Sequence, residues 1–180
     1  MKTATRAVRI DSPKEQVWAA LADFGGVWKY NPSVVTSRST TPQNGGVGAA
    51  RHCDLTFSGA SVEERIVEWN EGNGYRIEVF DSKRTPPFKQ AFGDIDLWED
   101  GDGTVVTMTF SHSMKYGPIG ALMDRLVVET QYAKALDLLL AGLKHHIETG
   151  QDIVKGVRVD TGPVRLVAAQ ATPQQSHSAV

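Results

Sequence analysis

Apolar residues recur at helical spacing near the C-terminal end of the chain. Tyr132, Ala135, Leu136, Leu139, Leu140, Leu143 and Ile147 fall on one face of a helix from about Tyr132 to Thr149, and Lys134, Asp137, Lys144, His145 and Glu148 on the other. Gly150 is placed to end it in a left-handed cap. A face this apolar needs a large partner surface. Upstream, Pro118 to Val127 carries Ile119, Leu122, Met123, Leu126 and Val127, a second stripe nearly opposite the first on one ideal helix. One straight helix cannot bury both stripes on one sheet, so a break is expected near Val128 to Gln131, where Val127, Val128 and Thr130 are β-branched.

The remaining pattern is mostly period two. Strands are expected at Thr3–Ile10, Val34–Thr40, Ala49–Phe57, Ser61–Trp69, Tyr75–Phe80, Phe92–Trp98 and Val105–His112, with turns at Asn44-Gly45-Gly46, Ser58-Gly59, Glu71 to Gly74 and Glu99 to Gly103. Alternation puts Arg51, Cys53, Leu55 and Phe57 on one side of their strand and His52, Asp54 and Thr56 on the other. It gives Val62, Glu64, Ile66 and Glu68 a common face, likewise Tyr75, Ile77 and Val79, and likewise Val106, Met108, Phe110 and His112. After the first strand, Ser12-Pro13-Lys14-Glu15 looks like a capping box opening a helix that buries Val17, Trp18 and Leu21 and stops at Gly25-Gly26. A short turn of helix is expected from Val27 to Tyr30, before Asn31-Pro32. Lys83 to Pro87 is a polar loop. Consecutive strands with tight turns imply an antiparallel meander with one buried face, and the amphipathic helix is its natural cover. The fold class is therefore α+β: an antiparallel sheet of six or seven strands covered by a long C-terminal helix, with two short helices after the first strand.

At 180 residues the chain suits one sizeable core rather than two. Residues 1–150 form the expected domain. Residues 151–180 form an extension, with Val154 to Val159 a short strand or arm and the Ala-, Gln-, Ser-, Thr- and Pro-rich stretch from Gly162 a poorly ordered tail. A net charge of −2 points neither to nucleic acid nor to an anionic membrane surface, and no run reaches membrane-spanning length. Cys53 is the only cysteine, so no internal disulfide forms. The first ten residues are not a secretory signal, and a cytoplasmic setting is expected. Gly45-Gly46-Val47-Gly48 is no nucleotide loop, because no Lys-Ser or Lys-Thr closes it. His52, His145, His146 and His177 lack metal-ligand spacing, and neither a metal nor a cofactor is expected.

Several stretches, in order, resemble the SRPBCC superfamily of START and birch-pollen-allergen-like helix-grip domains, and most of all its polyketide cyclase/dehydratase-like branch. They are Ile10-Asp11-Ser12-Pro13 through Val17-Trp18 and Leu21; Asp23-Phe24-Gly25 leading to Tyr30-Asn31-Pro32; Gly48 followed by Arg51; Val62-Glu63-Glu64-Arg65-Ile66; Tyr116-Gly117-Pro118-Ile119-Gly120; and the helix ending in Gly142-Leu143-Lys144. Tyr30 and Met108 stand where many relatives have Trp. The resemblance covers about Thr3 to Gly150. It implies that the sheet is curved around the long helix and leaves an apolar cavity between them, in which members bind lipids, sterols, hormones or polyketides, some as enzymes and others as carriers or sensors.

Glu64 carries the most information, since a carboxylate between Val62 and Ile66 must be paired, hydrated or protonated. It is a ligand anchor or a general acid/base, or it serves structure by pairing with an arginine. The resemblance favours the anchor. Arg51 either meets Glu64 on the neighbouring strand or holds an acidic ligand group. His112 is the other catalytic candidate, as a proton shuttle, against the plainer reading of an exposed strand end. Trp28 and Tyr30 fall where the family places the cavity mouth, Gln131 is the polar residue nearest the expected break, and Leu55, Ile66, Met108, Phe110 and Val127 are apolar lining candidates. Three functions follow. The first is a carrier or sensor of one small hydrophobic ligand, working as monomer or homodimer. The second is a polyketide cyclase/dehydratase-like enzyme using Glu64. The third is a cochaperone-like interaction module, which needs a large exposed apolar patch.

Overall fold

A computed structural model describes residues 1–57, 59–116, 129–153 and 158–166 of the chain. Eight strands make one antiparallel sheet: β1 (Lys2–Ile10), β2 (Val34–Ser39), β3 (Ala50–Leu55), β4 (Ser61–Asn70), β5 (Gly74–Lys83), β6 (Phe88–Asp100), β7 (Gly103–Met114) and β8 (Arg165–Leu166). Their order across the sheet is β2-β3-β4-β5-β6-β7-β1-β8. Between β1 and β2 lie α1 (Lys14–Ala22) and a 3-10 helix (Phe24–Lys29), and α2 (Glu129–Thr149) follows β7. The architecture is the expected helix grip. Its sheet has one strand more than the upper expectation, because Arg165 and Leu166 pair with Ala7 and Arg6. That pairing also orders part of the stretch expected to be a loose tail.

The core sits between the sheet's concave face and α2, where Leu140 and Leu143 are fully buried with Val8, Ile10, Ile66 and Val106. From Asp137 onward, α2 is fixed to β1 and the residue that follows it. Asp137 accepts from Arg6 Nε at 2.8 Å, Lys144 Nζ donates to the Arg9 carbonyl at 2.9 Å, and Glu148 accepts from the Asp11 amide at 2.7 Å. At Gly142 the helix comes so close to the 3-10 segment that a Cβ would lie 2.0 Å from the Tyr30 carbonyl oxygen. Gly150 has φ of +70° and its amide bonds to the His146 carbonyl, as a left-handed cap requires. The second apolar stripe at residues 118–127, the start of the expected break at residue 128, Ser58, and most of the proposed arm at residues 154–159 lie outside the described residues.

Three local expectations are corrected. Ser12 does not cap α1: its hydroxyl donates to Gln16 Oε1 at 2.8 Å, and Pro13 occupies the cap position and accepts the first backbone bonds. Glu68 does not share the inner face of Val62, Glu64 and Ile66. The β4–β5 register shifts between Ile66 and Glu68, a bulge that reverses the phase, so Glu68 opposes outward-facing Arg76 while Trp69 turns inward beside Tyr75. In addition, Gly25-Gly26 does not halt helical structure, since the 3-10 helix runs through both glycines.

Candidate functional site

The sheet supplies the floor and walls of a cavity of about 810 Å3 roofed by the N-terminal half of α2. Alternation on β3 turns Arg51 and Leu55 inward, β4 contributes Val62 and Glu64, and β5 contributes Tyr75, Ile77 and Val79. Met108 and Phe110 come from β7, Tyr30 follows the 3-10 helix, and Gln131, Tyr132, Ala135, Leu136 and Leu139 come from α2. The lining is mostly aliphatic and aromatic, and its size is typical of sites for drug-sized ligands.

Arg51 and Glu64 are directly opposed across the β3–β4 ladder. Nε and Nη2 of Arg51 both reach Glu64 Oε2, each at 2.6 Å, and Nη1 donates to the Phe24 carbonyl at 2.6 Å. The guanidinium also lies 3.9 Å from the centre of the Phe24 ring, a cation–π contact. Burial is the largest single influence and works against the Arg51 charge, but Glu64 together with Cys53, Tyr75 and Tyr30 outweighs it, and the guanidinium is more basic than an ordinary arginine. Cys53 lies alongside, with Sγ 4.0 Å from the same Glu64 oxygen. Burial first, and the Glu64 charge second, push its thiol up to about 11, so it is an unreactive thiol at neutral pH.

Tyr30 and Tyr75 pair with each other beside Arg51. Burial raises both phenols, Tyr30 well above the ordinary value, so both are neutral hydroxyls at physiological pH. Tyr75 belongs to an aromatic group with Trp18, Trp69 and Phe24, in which Glu71 accepts from the Trp18 and Trp69 indoles at 2.9 and 2.7 Å. This packing closes the cavity's polar end.

The sequence-based candidates divide as follows. Tyr30, Arg51, Leu55, Glu64, Met108, Phe110 and Gln131 line the cavity. Ile66 does not: it is 1 % exposed and packs in the solid core with the other buried side chains. Trp28 is 37 % exposed and does not line the cavity either, since the 3-10 helix turns Val27 and Tyr30 inward instead. His112 is 4 % exposed, so it is not an exposed strand end, but it lines a separate cleft of about 310 Å3 with Lys2, Thr3 and Ala4. Phe110 and Tyr132, stacked with centroids 4.5 Å apart, border both spaces. Glu64 and His112 therefore do not share one void. Val127 lies outside the described residues. Sequence reasoning missed Tyr75 as a site residue, although its alternation with Ile77 and Val79 was available. It also missed Pro86, Pro87 and Phe88, for which no local signal existed. Among the described residues no group of three or more His, Cys, Asp or Glu side chains is arranged to hold a metal ion. Among them, too, no helix is long and apolar enough to cross a membrane.

A curved sheet gripping a C-terminal helix over an apolar cavity defines a helix-grip protein of the SRPBCC type. The family model "Polyketide cyclase / dehydrase and lipid transport" matches residues 1–148, and the chain belongs to that family. Solved structures agree on the fold. TTHA0849 from Thermus thermophilus superposes with a TM-score of 0.68 at 20% identity, over 83% of this chain and 99% of that one. Ara h 8.0201 gives 0.67 at 14% identity, over 82% and 98%. DynU16, described as a putative protein in the dynemicin biosynthetic locus, gives 0.61 at 16% identity, over 84% of this chain and 49% of its own. No curated protein matches the sequence.

Proposed function

We propose that the protein binds one small, largely apolar molecule in the cavity beneath α2, as a carrier or sensor, with Glu64, Arg51, Tyr30 and Tyr75 receiving the molecule's polar group. The observation that carries this reading is the shape of the cavity's chemistry. About 810 Å3 of mainly aliphatic and aromatic lining meets a largely buried Arg51–Glu64 pair at its floor. Membership of a family described by lipid transport as well as by cyclisation supports it. N-phenyl-1-naphthylamine, a neutral fluorophore that brightens in apolar surroundings, provides the test. One equivalent is expected to bind, and Ala135→Trp, which fills the space from the roof, is expected to abolish binding while the protein stays folded. Failure of the dye to bind, or undiminished binding by the folded variant, overturns the reading.

A second reading, a cyclase or dehydratase-like enzyme with Glu64 as acid or base, is favoured by the shared void of Glu64 with two neutral phenols able to donate protons. It predicts that an aromatic polyketide-like compound, incubated with the protein, loses water or gains a ring, and that Glu64→Gln stops the change. An unaltered mass together with an unaltered chromatographic retention and absorption spectrum with both proteins favours the carrier.

A further inference from the structure

The polar floor is not symmetrical with respect to charge. Glu64 uses one carboxylate oxygen, Oε2, for the hydrogen bond from Arg51 Nε, for the ion-pair contact with Nη2 and for the thiol of Cys53. Its other oxygen, Oε1, has no hydrogen-bond partner among the described residues, and the side chain lines the cavity. Arg51, by contrast, is committed. Its charge is matched by Glu64, its Nε and Nη1 donate to Glu64 and the Phe24 carbonyl, Nη2 stands in ion-pair contact with Glu64, and its flat face covers the Phe24 ring. The pair is formally neutral, and what it offers a ligand is an acceptor.

We infer that the ligand is an uncharged, hydroxyl-bearing apolar molecule, a phenol or alcohol rather than a carboxylic acid, and that its hydroxyl donates to Oε1 of Glu64. This rests on the proposal that the cavity is a binding site. The physical reason is a difference between two ligands of one shape. A hydroxyl brings a donor to a partly buried carboxylate, and charge-assisted hydrogen bonds of this kind are among the strong ones. A carboxylate brings a second negative charge next to Glu64 and no donor. It must lose water and meet like charge in a space walled by hydrocarbon, while Arg51, the cation at the floor, is already neutralised. Arg84 and Lys134 also line the cavity, but both are exposed to water, so an acid drawn to them stays at the mouth and leaves Oε1 unmatched.

The test uses naphthalene, 2-naphthol and 2-naphthoate at pH 7, where the second is neutral and the third an anion. Binding is followed by displacement of N-phenyl-1-naphthylamine. The wild type is expected to bind 2-naphthol tighter than 2-naphthoate by about tenfold or more, and tighter than naphthalene. Glu64→Gln leaves Arg51 uncompensated and is expected to reverse the order of naphthol and naphthoate. If that variant does not fold, Arg51→Met combined with Glu64→Met removes both charges at similar volume. It is expected to keep naphthalene binding and lose the preference for naphthol over naphthalene. Wild-type protein that binds naphthalene but takes naphthoate as tightly as naphthol overturns the inference alone. Failure to bind any of the three overturns the cavity reading and the inference with it.

Discussion

Gly142→Ala separates a local from a tertiary explanation of the same residue. Within a helix, replacing glycine by alanine gains about 1 kcal/mol from backbone entropy and propensity. Here the new Cβ would lie 2.0 Å from the Tyr30 carbonyl oxygen, 3.2 Å from its carbon and 3.3 Å from Pro32 Cδ. Something must move by about 1 Å to restore even the closest contact atoms tolerate, and the obstacle is backbone, not a flexible side-chain end. The Tyr30 segment has little room to yield. The Tyr30 and Asn31 amides both bond to the Val27 carbonyl, and the neighbouring Lys29 carbonyl accepts from Ile153 at 2.7 Å. Overpacking of a tight site costs about 1–3 kcal/mol, and an unyielding backbone obstacle puts this one at the upper end, so after the propensity gain the variant is expected to lose about 2 kcal/mol. Urea unfolding followed by circular dichroism reads this as a lower midpoint at unchanged slope. Because Tyr30 lines the cavity, dye affinity should fall as well. A variant as stable as the wild type, or more stable, refutes the close approach of α2 to Tyr30.

Arg51→Met alone leaves Glu64 without its countercharge and should destabilise by about 3 kcal/mol, whereas adding Glu64→Met should recover most of that loss, as seen by urea unfolding of both proteins. On the outer face of the sheet, His52 is held by Glu63 through Nδ1 and by Asp54 through Nε2 at 3.2 Å, and the Glu63 bond raises its pKa despite partial burial. Nuclear magnetic resonance titration should place His52 above the ordinary value of about 6.5, and Glu63→Gln should bring it down. Since the folded value is raised, the stabilisation from this charge is complete below the unfolded pKa and fades as pH climbs through the folded one. Ser12→Ala should cost less than the ~1 kcal/mol of a lost helix cap, because the Ser12 hydroxyl serves Gln16 and not the backbone. A full cap-sized loss in thermal unfolding would contradict that assignment.

Period-two alternation was enough to place Arg51, Cys53 and Leu55 inside and His52 and Asp54 outside. The helical stripe of Leu136, Leu139, Leu140 and Leu143 identified the roof in the same way. These signals survive because burial on one face constrains every second or every third-to-fourth residue. Glu68 was misplaced because a bulge is a one-residue event in the pairing of two strands, and nothing in β4 alone announces it. The separation of Glu64 from His112 was equally hidden. Both side chains are on inward faces, but which void each reaches depends on Phe110 and Tyr132 stacking between the two spaces, a contact between elements far apart in sequence. Ile66 looked like lining because inward was equated with cavity-facing, although an inward residue either packs in the solid core or borders the void.

The hollow beneath α2 can be probed atom by atom. Methyl-labelled protein with unlabelled N-phenyl-1-naphthylamine allows isotope-filtered nuclear Overhauser contacts to be recorded between dye and protein. Contacts to the methyls of Leu55, Val62, Met108, Ala135 and Leu139 together are expected, since these side chains surround one space from both sheet and helix. Contacts confined to outward-facing side chains such as Val35, or none at all with bound dye present, would contradict a binding cavity between the sheet and its helix.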